Sequence, residues 1–347
     1  MFKFSTYDAV VIQDDKQKAY FTGYRASGYL LITRNEYFYV TDMRYFSALE
    51  KALENTKFKA VLGGDYSFLF SYLKEAGIKR IGIDYTTTTL SQSAELKKCA
   101  LLADVSGEIS AKMIIKNQFE LDKISRACQI TQETFLEVLP KLKVGVTERE
   151  IEGLLISGFL SRGAEEVSFE LIVAFGQNSA VPHHRTGLTR LEKNTPVLFD
   201  IGCVVDGYCS DFTRTVFFGQ PTYEFIKAYN AVNQAYDCAY SGIEVGAICG
   251  DIDKLARDIL EKEGLPFIHS LGHGVGVNIH EEPYLRKGGK QKLENGMVFT
   301  IEPGAYLDGK FGIRTENTCY IKDGIINNFY TLGRELIIVE KDKITKY

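Results

Sequence analysis

The chain has 347 residues, 45% hydrophobic and 25% charged, with a formal net charge of −4. That is an ordinary globular composition with room for two domains, and the interleaved acids and bases exclude the basic stripe of a nucleic-acid binder. No apolar run reaches the ~20 residues of a membrane span, and the opening MFKFSTYDAVVIQDD meets acids too early for a signal peptide, so a cytoplasmic protein without a membrane partner is expected.

Residues 1–113 alternate strands and helices, which predicts an α/β domain. Tyr29–Thr33 and Tyr37–Thr41 read as strands of a hairpin around Arg34, Asn35 and Glu36. Residues 43–53 have helical spacing, with Phe46, Leu49 and Leu53 on one face. Val61, residues 68–73 and residues 81–83 read as a further strand–helix–strand passage. This half holds no histidine and no cluster of metal-ligand types, so it reads as a supporting domain. Residues 20–24 and 41–45 read as turn and core as readily as function. A boundary is expected near 113–117, leaving residues 114–347 as a second domain.

In that second domain a long amphipathic helix is expected over 118–142, with Leu121, Ile124, Cys128, Thr131, Phe135 and Val138 on one stripe. Gly145 ends it. Thr147 with Glu150 three residues on is a capping-box pattern, opening a helix through Phe159. Strands are expected at 169–174 and 196–205, helices at 223–240 and 248–263, and strands at 297–301, 316–321 and 335–339. Mixed helices and hairpins make this half α+β. The seven cysteines are scattered without a C-x-x-C pair, which fits free thiols rather than a disulfide frame. Cys203 and Cys209 read as packing residues.

The most informative stretch is VLFDIGCVVDGYCSDFTRTVF, residues 197–217. Asp206-Gly207 is a strong two-residue hairpin turn. Pairing the strands across it sets Asp211 opposite Gly202. Asp200, two residues from Gly202, shares its face. Two carboxylates this close repel unless a cation lies between them. Three other places carry matching chemistry. His273 sits among Gly272, Gly274 and Gly276. Glu302 ends a strand before Pro303-Gly304. Arg314 and Glu316 are expected on one strand face. Each alone reads as turn or surface, but apolar neighbours such as Phe199, Phe299, Ile301 and Ile313 bury these acids, where an unpaired carboxylate costs several kcal/mol. Four carboxylates and one imidazole suit two divalent ions about 3.5–4 Å apart. Donor hardness favours manganese, cobalt or iron and admits zinc. Such a pair would acidify a shared water and polarise a carbonyl, which points to amide or ester hydrolysis.

At these residues the chain resembles the pita-bread metallopeptidases: Xaa-Pro dipeptidases (prolidases), aminopeptidase P and methionine aminopeptidases. The resemblance implies that Asp200 chelates one ion, Asp211 and Glu316 bridge both, and His273 and Glu302 hold the second. Glu302 would also accept the proton of the attacking water. His183, His269 and His280 match the substrate side, His280 stabilising the tetrahedral intermediate, and Arg314 matches an arginine beside the site. His184 has no role in the family. The first half is similar to the RNase H-like, creatinase-type domain of prolidases and aminopeptidase P, which methionine aminopeptidases lack. The implied activity is cleavage of N-terminal Xaa-Pro bonds by a homodimer with two divalent ions, manganese foremost. The other readings of the fold are a metal-independent peptide-binding protein and a creatinase-like hydrolase. Some prolidases carry an arginine directly after His-Glu-x-Pro to hold a dipeptide's carboxylate. Here Tyr284 stands there, with Arg286 two positions on, which leaves dipeptidase against aminopeptidase P open.

Overall fold

The computed structural model describes residues 2–340 and 343–346. Its chain divides into two compact units, Met1–Met113 and Ile114–Tyr347. The first is built on one mixed sheet, formed by β1 (Ala9–Ile12), β2 (Tyr29–Thr33), β3 (Tyr37–Thr41), β4 (Lys59–Leu62), β5 (Arg80–Ile83) and β6 (Leu101–Asp104) in the order β4-β3-β2-β1-β5-β6. The expected hairpin is the β2–β3 antiparallel pair, while β1–β5, β3–β4 and β5–β6 are parallel. Helices α1 (Asp15–Thr22), α2 (Phe46–Leu53), α3 (Ser67–Glu75), α4 (Leu90–Leu96) and α5 (Ser106–Met113) connect them. Leu31, Val40, Leu69, Leu73, Ile81 and Ile83 form the core between sheet and helices. The stretch over residues 20–24 closes α1 on a left-handed Gly23 with φ 75.

The second unit opens on α6 (Gln118–Val138) and α7 (Glu148–Ser161), both with complete capping boxes, at Asn117/Glu120 and at Thr147/Glu150. The last turn of the expected long helix is instead 3-10 (Leu139–Lys141), because Pro140 cannot continue the α hydrogen-bond ladder. Next come β7 (Glu166–Val167) and β8 (Ile172–Phe175). The strand expected from residue 169 begins only at Ile172, since no ladder partner reaches Phe169 to Leu171. The central hairpin follows as β9 (Thr195–Ile201), β10 (Cys203–Val205), β11 (Tyr208–Cys209) and β12 (Phe212–Phe218). Helices α8 (Tyr223–Ser241) and α9 (Cys249–Lys262) come next. The rest is strand: β13 (Gly272–Gly274), β14 (Glu281–Leu285), β15 (Val298–Ile301), β16 (Gly304–Leu307), β17 (Phe311–Arg314), β18 (Asn317–Lys322), β19 (Ile325–Asn328), β20 (Ile337–Glu340) and β21 (Lys343–Lys346). Two five-stranded sheets result, β21-β20-β12-β9-β8 and β14-β13-β15-β18-β19. Helices α8 and α9 bury Phe225, Val232, Tyr236, Ile252 and Leu260 in the core shared with Phe299, Ile301 and Ile313. Among the described residues no helix is long and apolar enough to cross a membrane.

The hairpin keeps one register from end to end. Val205 faces Tyr208 beside the turn, and Thr195 faces Phe218 at the far end. Asp206 and Gly207 both take positive φ, 48 and 77, as a two-residue turn matched to strand twist requires. The ladder pauses at Gly202, where a Cβ would lie 2.1 Å from the Ser210 carbonyl oxygen. Only glycine lets the strands close there, next to Asp211. The hairpin is backed by α6, whose Phe135 ring packs edge-on against Phe199 at 5.3 Å and Phe212 at 5.2 Å. Phe135 is fully buried. Phe135→Ala should therefore cost about 3–5 kcal/mol of stability, read as a lower urea midpoint with the slope unchanged.

Candidate active site

A cavity of about 430 Å³ opens in the second unit. Asp200 reaches it from β9, Asp211 from the head of β12, His273 from β13, Glu302 from the end of β15, and Arg314 and Glu316 from the end of β17 and the link after it. Glu316 lies just outside the strand expected to contain it, because β17 stops at Arg314 and β18 starts at Asn317. His183, His184, His269 and His280 also line the cavity.

The geometry brings one group close together. Single ligand atoms of Asp211, His273 and Glu316 lie within 4.8 Å of one another, and all three residues are buried. His273 Nε2 stands 3.5 Å from Asp211 Oδ2 and 3.4 Å from Glu302 Oε1. Its Nδ1 lies 3.1 Å from the Gly274 carbonyl oxygen and must carry the ring proton to donate there. That leaves the Nε2 lone pair facing carboxylates, an arrangement that is repulsive until a cation enters. Burial, aided by His280, holds the His273 pKa down at about 3, so the ring is neutral. Burial and then mutual repulsion raise Asp211 and Glu302 well above the usual carboxylate range, and push Glu316 up to about 8. Oxygen donors with one imidazole, buried and mutually repelling, fit a hard or borderline divalent ion.

Asp200 is placed differently. It forms an ion pair with Arg314 Nη2. Arg314 also donates through Nη1 to Tyr306 Oη at 2.7 Å, and Tyr306 Oη lies 2.8 Å from His269 Nε2. His269 Nδ1 lies 2.8 Å from the Ser270 carbonyl oxygen, so that nitrogen carries the proton and Nε2 accepts from Tyr306. Burial lowers His269 to about 3 and raises Tyr306 to about 12. His183 and His280 are exposed at the cavity. His280 packs its ring on His273 at 4.3 Å. It immediately precedes β14, whose Glu281 forms a buried ion pair with Lys116. Tyr284 lines the cavity, whereas Arg286 is exposed over the Tyr284 ring at 5.4 Å.

Several supports were not legible beforehand. Thr213 Oγ1 donates to Glu316 Oε2 at 2.7 Å, and the fully buried Arg214 donates to the Glu316 carbonyl. Thr318 and Tyr330 both donate to the Asp211 carbonyl, at 2.8 and 2.6 Å. Thr300 receives the His273 amide at 3.1 Å and donates to Glu302 at 3.3 Å. His184, without a role in the sequence reading, bonds the buried Glu148 at 3.0 Å. The glycine next to His273 behaves as expected: a Cβ on Gly272 would lie 2.0 Å from the Thr300 carbonyl oxygen.

Residues 122–323 match metallopeptidase family M24, and residues 2–111 match the Creatinase/Prolidase N-terminal domain. The chain belongs to metallopeptidase family M24: a creatinase-type α/β domain precedes a pita-bread catalytic domain, and the protein is a hydrolase of the metallopeptidase class. It is similar to the Xaa-Pro dipeptidase of Pyrococcus furiosus, 30% identical over 340 residues that cover 95% of each chain. Among solved structures it is similar to an Xaa-Pro dipeptidase from Bacillus anthracis, at 30% identity and TM-score 0.92 over 96% of this chain and 95% of that one. It is also similar to an X-Pro aminopeptidase from Thermotoga maritima, at 31% identity and TM-score 0.89 over 96% and 98%.

A carboxyl whose folded pKa is raised costs nothing below its unfolded value and its full penalty above the folded one. The two histidines with lowered pKa change stability only below about 6.5, where the unfolded chain takes up protons. Between about pH 6.5 and 8 the carboxylates act alone. The metal-free protein should therefore lose thermal stability as pH rises through that window. A divalent cation should restore it most at the upper end, releasing protons as it binds. Calorimetry with chelator and with Mn²⁺ at the two pH values checks this.

Proposed function

We propose that this chain is a two-metal exopeptidase that hydrolyses the bond between an N-terminal residue and a proline at the second position of a peptide. The observation that carries the reading is the His273 Nε2 lone pair facing Asp211 and Glu302, beside Glu316. The activities of the similar proteins from Pyrococcus, Bacillus and Thermotoga supply the substrate class.

Asp200, Asp211, His273, Glu302 and Glu316 would hold the ions. Divalent ions, manganese foremost, with cobalt, iron and zinc fitting the same donors, would supply Lewis acidity toward the scissile carbonyl and a water. Glu302 is the group that takes the proton of the attacking water. His280 stabilises the oxygen that gains charge as the carbonyl becomes tetrahedral. His183, His269 and Arg314 face the substrate, and Arg314 with Tyr306 fixes the His269 ring. A Xaa-Pro bond offers no amide N–H and restricts the residue before it, so a cavity shaped for it is a specialised device. We read the working form as a homodimer in the cytoplasm, with peptides as its substrates. The position of Arg286 outside the cavity lining supports acceptance of peptides longer than two residues.

Hydrolysis of Ala-Pro, Ala-Pro-Ala and Ala-Ala-Ala with Mn²⁺ tests the reading. Cleavage of the first bond in the proline peptides, with Ala-Ala-Ala left intact, is expected. Equal cleavage of all three would remove proline as the target. Glu302→Gln should lower kcat about 10²–10⁴-fold, the usual worth of a general base. Asp211→Asn should lose bound metal and activity together, measured by metal analysis of the purified variants.

A further inference from the structure

Glu148 is fully buried at the start of α7 and takes no part in the chemistry above. Its two oxygens accept four N–H groups. Oε1 takes the Phe175 amide and Asn178 Nδ2, both at 2.8 Å. Oε2 takes His184 Nε2 and the Gly187 amide, both at 3.0 Å. A buried carboxylate with every strong acceptor direction used is a rigid anchor, because losing a partner would strand charge out of water. The four donors come from the two ends of one excursion. The chain leaves β8 at Phe175, makes a 3-10 turn (Gly176–Ala180), runs past Pro182 and His183 along the cavity, and returns at Gly187. Thr186 closes the return, receiving the Val173 amide at 3.0 Å and donating to the Leu171 carbonyl at 2.9 Å. The same turn is tied to β17, since Ser179 Oγ accepts the Gly312 amide at 2.8 Å, two residues before Arg314.

We propose that the Glu148–His184 pair is a positioning device that fixes the loop presenting His183 to the substrate. The inference rests on the reading of His183 as a substrate-facing group. His184 adjoins His183, so holding its ring on Glu148 sets the direction in which the His183 side chain leaves the backbone. The sequence Pro182-His183-His184 thus divides the work: both imidazoles line the cavity, but that of His184 is held on the scaffold by Glu148.

A double-mutant cycle separates this from a merely structural role. His184→Ala should raise KM for Ala-Pro about ten-fold with kcat within about two-fold, and in a His183→Ala background it should add little. His184→Gln, whose amide N–H can still reach Glu148, should restore KM to within about three-fold. Mn²⁺ stoichiometry should match wild type in all variants. Independently of activity, His184→Ala should speed tryptic cleavage after the exposed Arg185 at least about three-fold, and His184→Gln should not. Full additivity of the two alanine substitutions, or unchanged cleavage after Arg185, would overturn the proposal. If His184→Ala does not fold, Glu148→Asp, with the same charge one methylene shorter, takes its place in both measurements. If the wild type leaves proline peptides intact, the functional reading fails by itself, and the tryptic comparison still decides the positioning role.

Discussion

Asp211, Glu302 and Glu316 repel one another at the wall of the cavity, and burial is the largest cause of their raised proton affinity. Left to themselves, such groups would swing apart or take up protons. The second unit prevents the first response by fixing each acid through its backbone, and Glu302 and Glu316 through their side chains too. The Asp211 carbonyl is held by Thr318 and Tyr330, Glu316 by Thr213 and Arg214, and Glu302 by Thr300 and by its amide on the Leu271 carbonyl. Repulsion that cannot relax is what gives such a site its affinity for a divalent ion, and metallopeptidase family M24 makes its chemistry from that affinity.

The hairpin is the part of this frame closest to the sequence. Asp206-Gly207 specifies a turn with positive φ at both positions. The turn specifies the register, and the register sets which side chains share a face. Phe135 on α6 then presses the back of the hairpin through Phe199 and Phe212, each adjacent in sequence to one of the two aspartates. That Asp200 and Asp211 both reach the cavity therefore follows from a chain of local rules that a reader of the sequence can apply.

Elsewhere the sequence was less transparent, for identifiable reasons. Strands β2 and β3 were legible because polar residues separate two β-rich runs. Strand β1 was not, because Ala9–Ile12 is buried on both faces and shows no alternation. Helix α1 was missed because its buried face includes Gln17 and Lys18. Lys18 donates to the Ala26 and Gly28 carbonyls at 2.8 and 2.9 Å, so a charged side chain occupies an interior position. In the site, the acids and His273 stood out by residue type and apolar company. Thr213, Arg214, Tyr306 and Glu148 did not, since they are common residues whose meaning lies in a partner elsewhere in the chain. Thr213 finds its carboxylate 103 positions later. No local spacing encodes such a pairing; only the closed fold does.

The hydrogen bonds from Arg314 through Tyr306 and His269 to the Ser270 carbonyl all donate in one direction. An arginine keeps its proton at any pH at which the protein is folded, Tyr306 is a weaker acid than usual, and His269 resists protonation. The chain therefore transmits orientation without conducting charge. It behaves as an insulator along one wall of the cavity, fixing the tilt of a ring while holding the proton count of that wall constant. Changes of protonation at the cavity are thereby left to the carboxylates, among them Glu302, whose Oε2 lies 3.9 Å from His269 Nδ1.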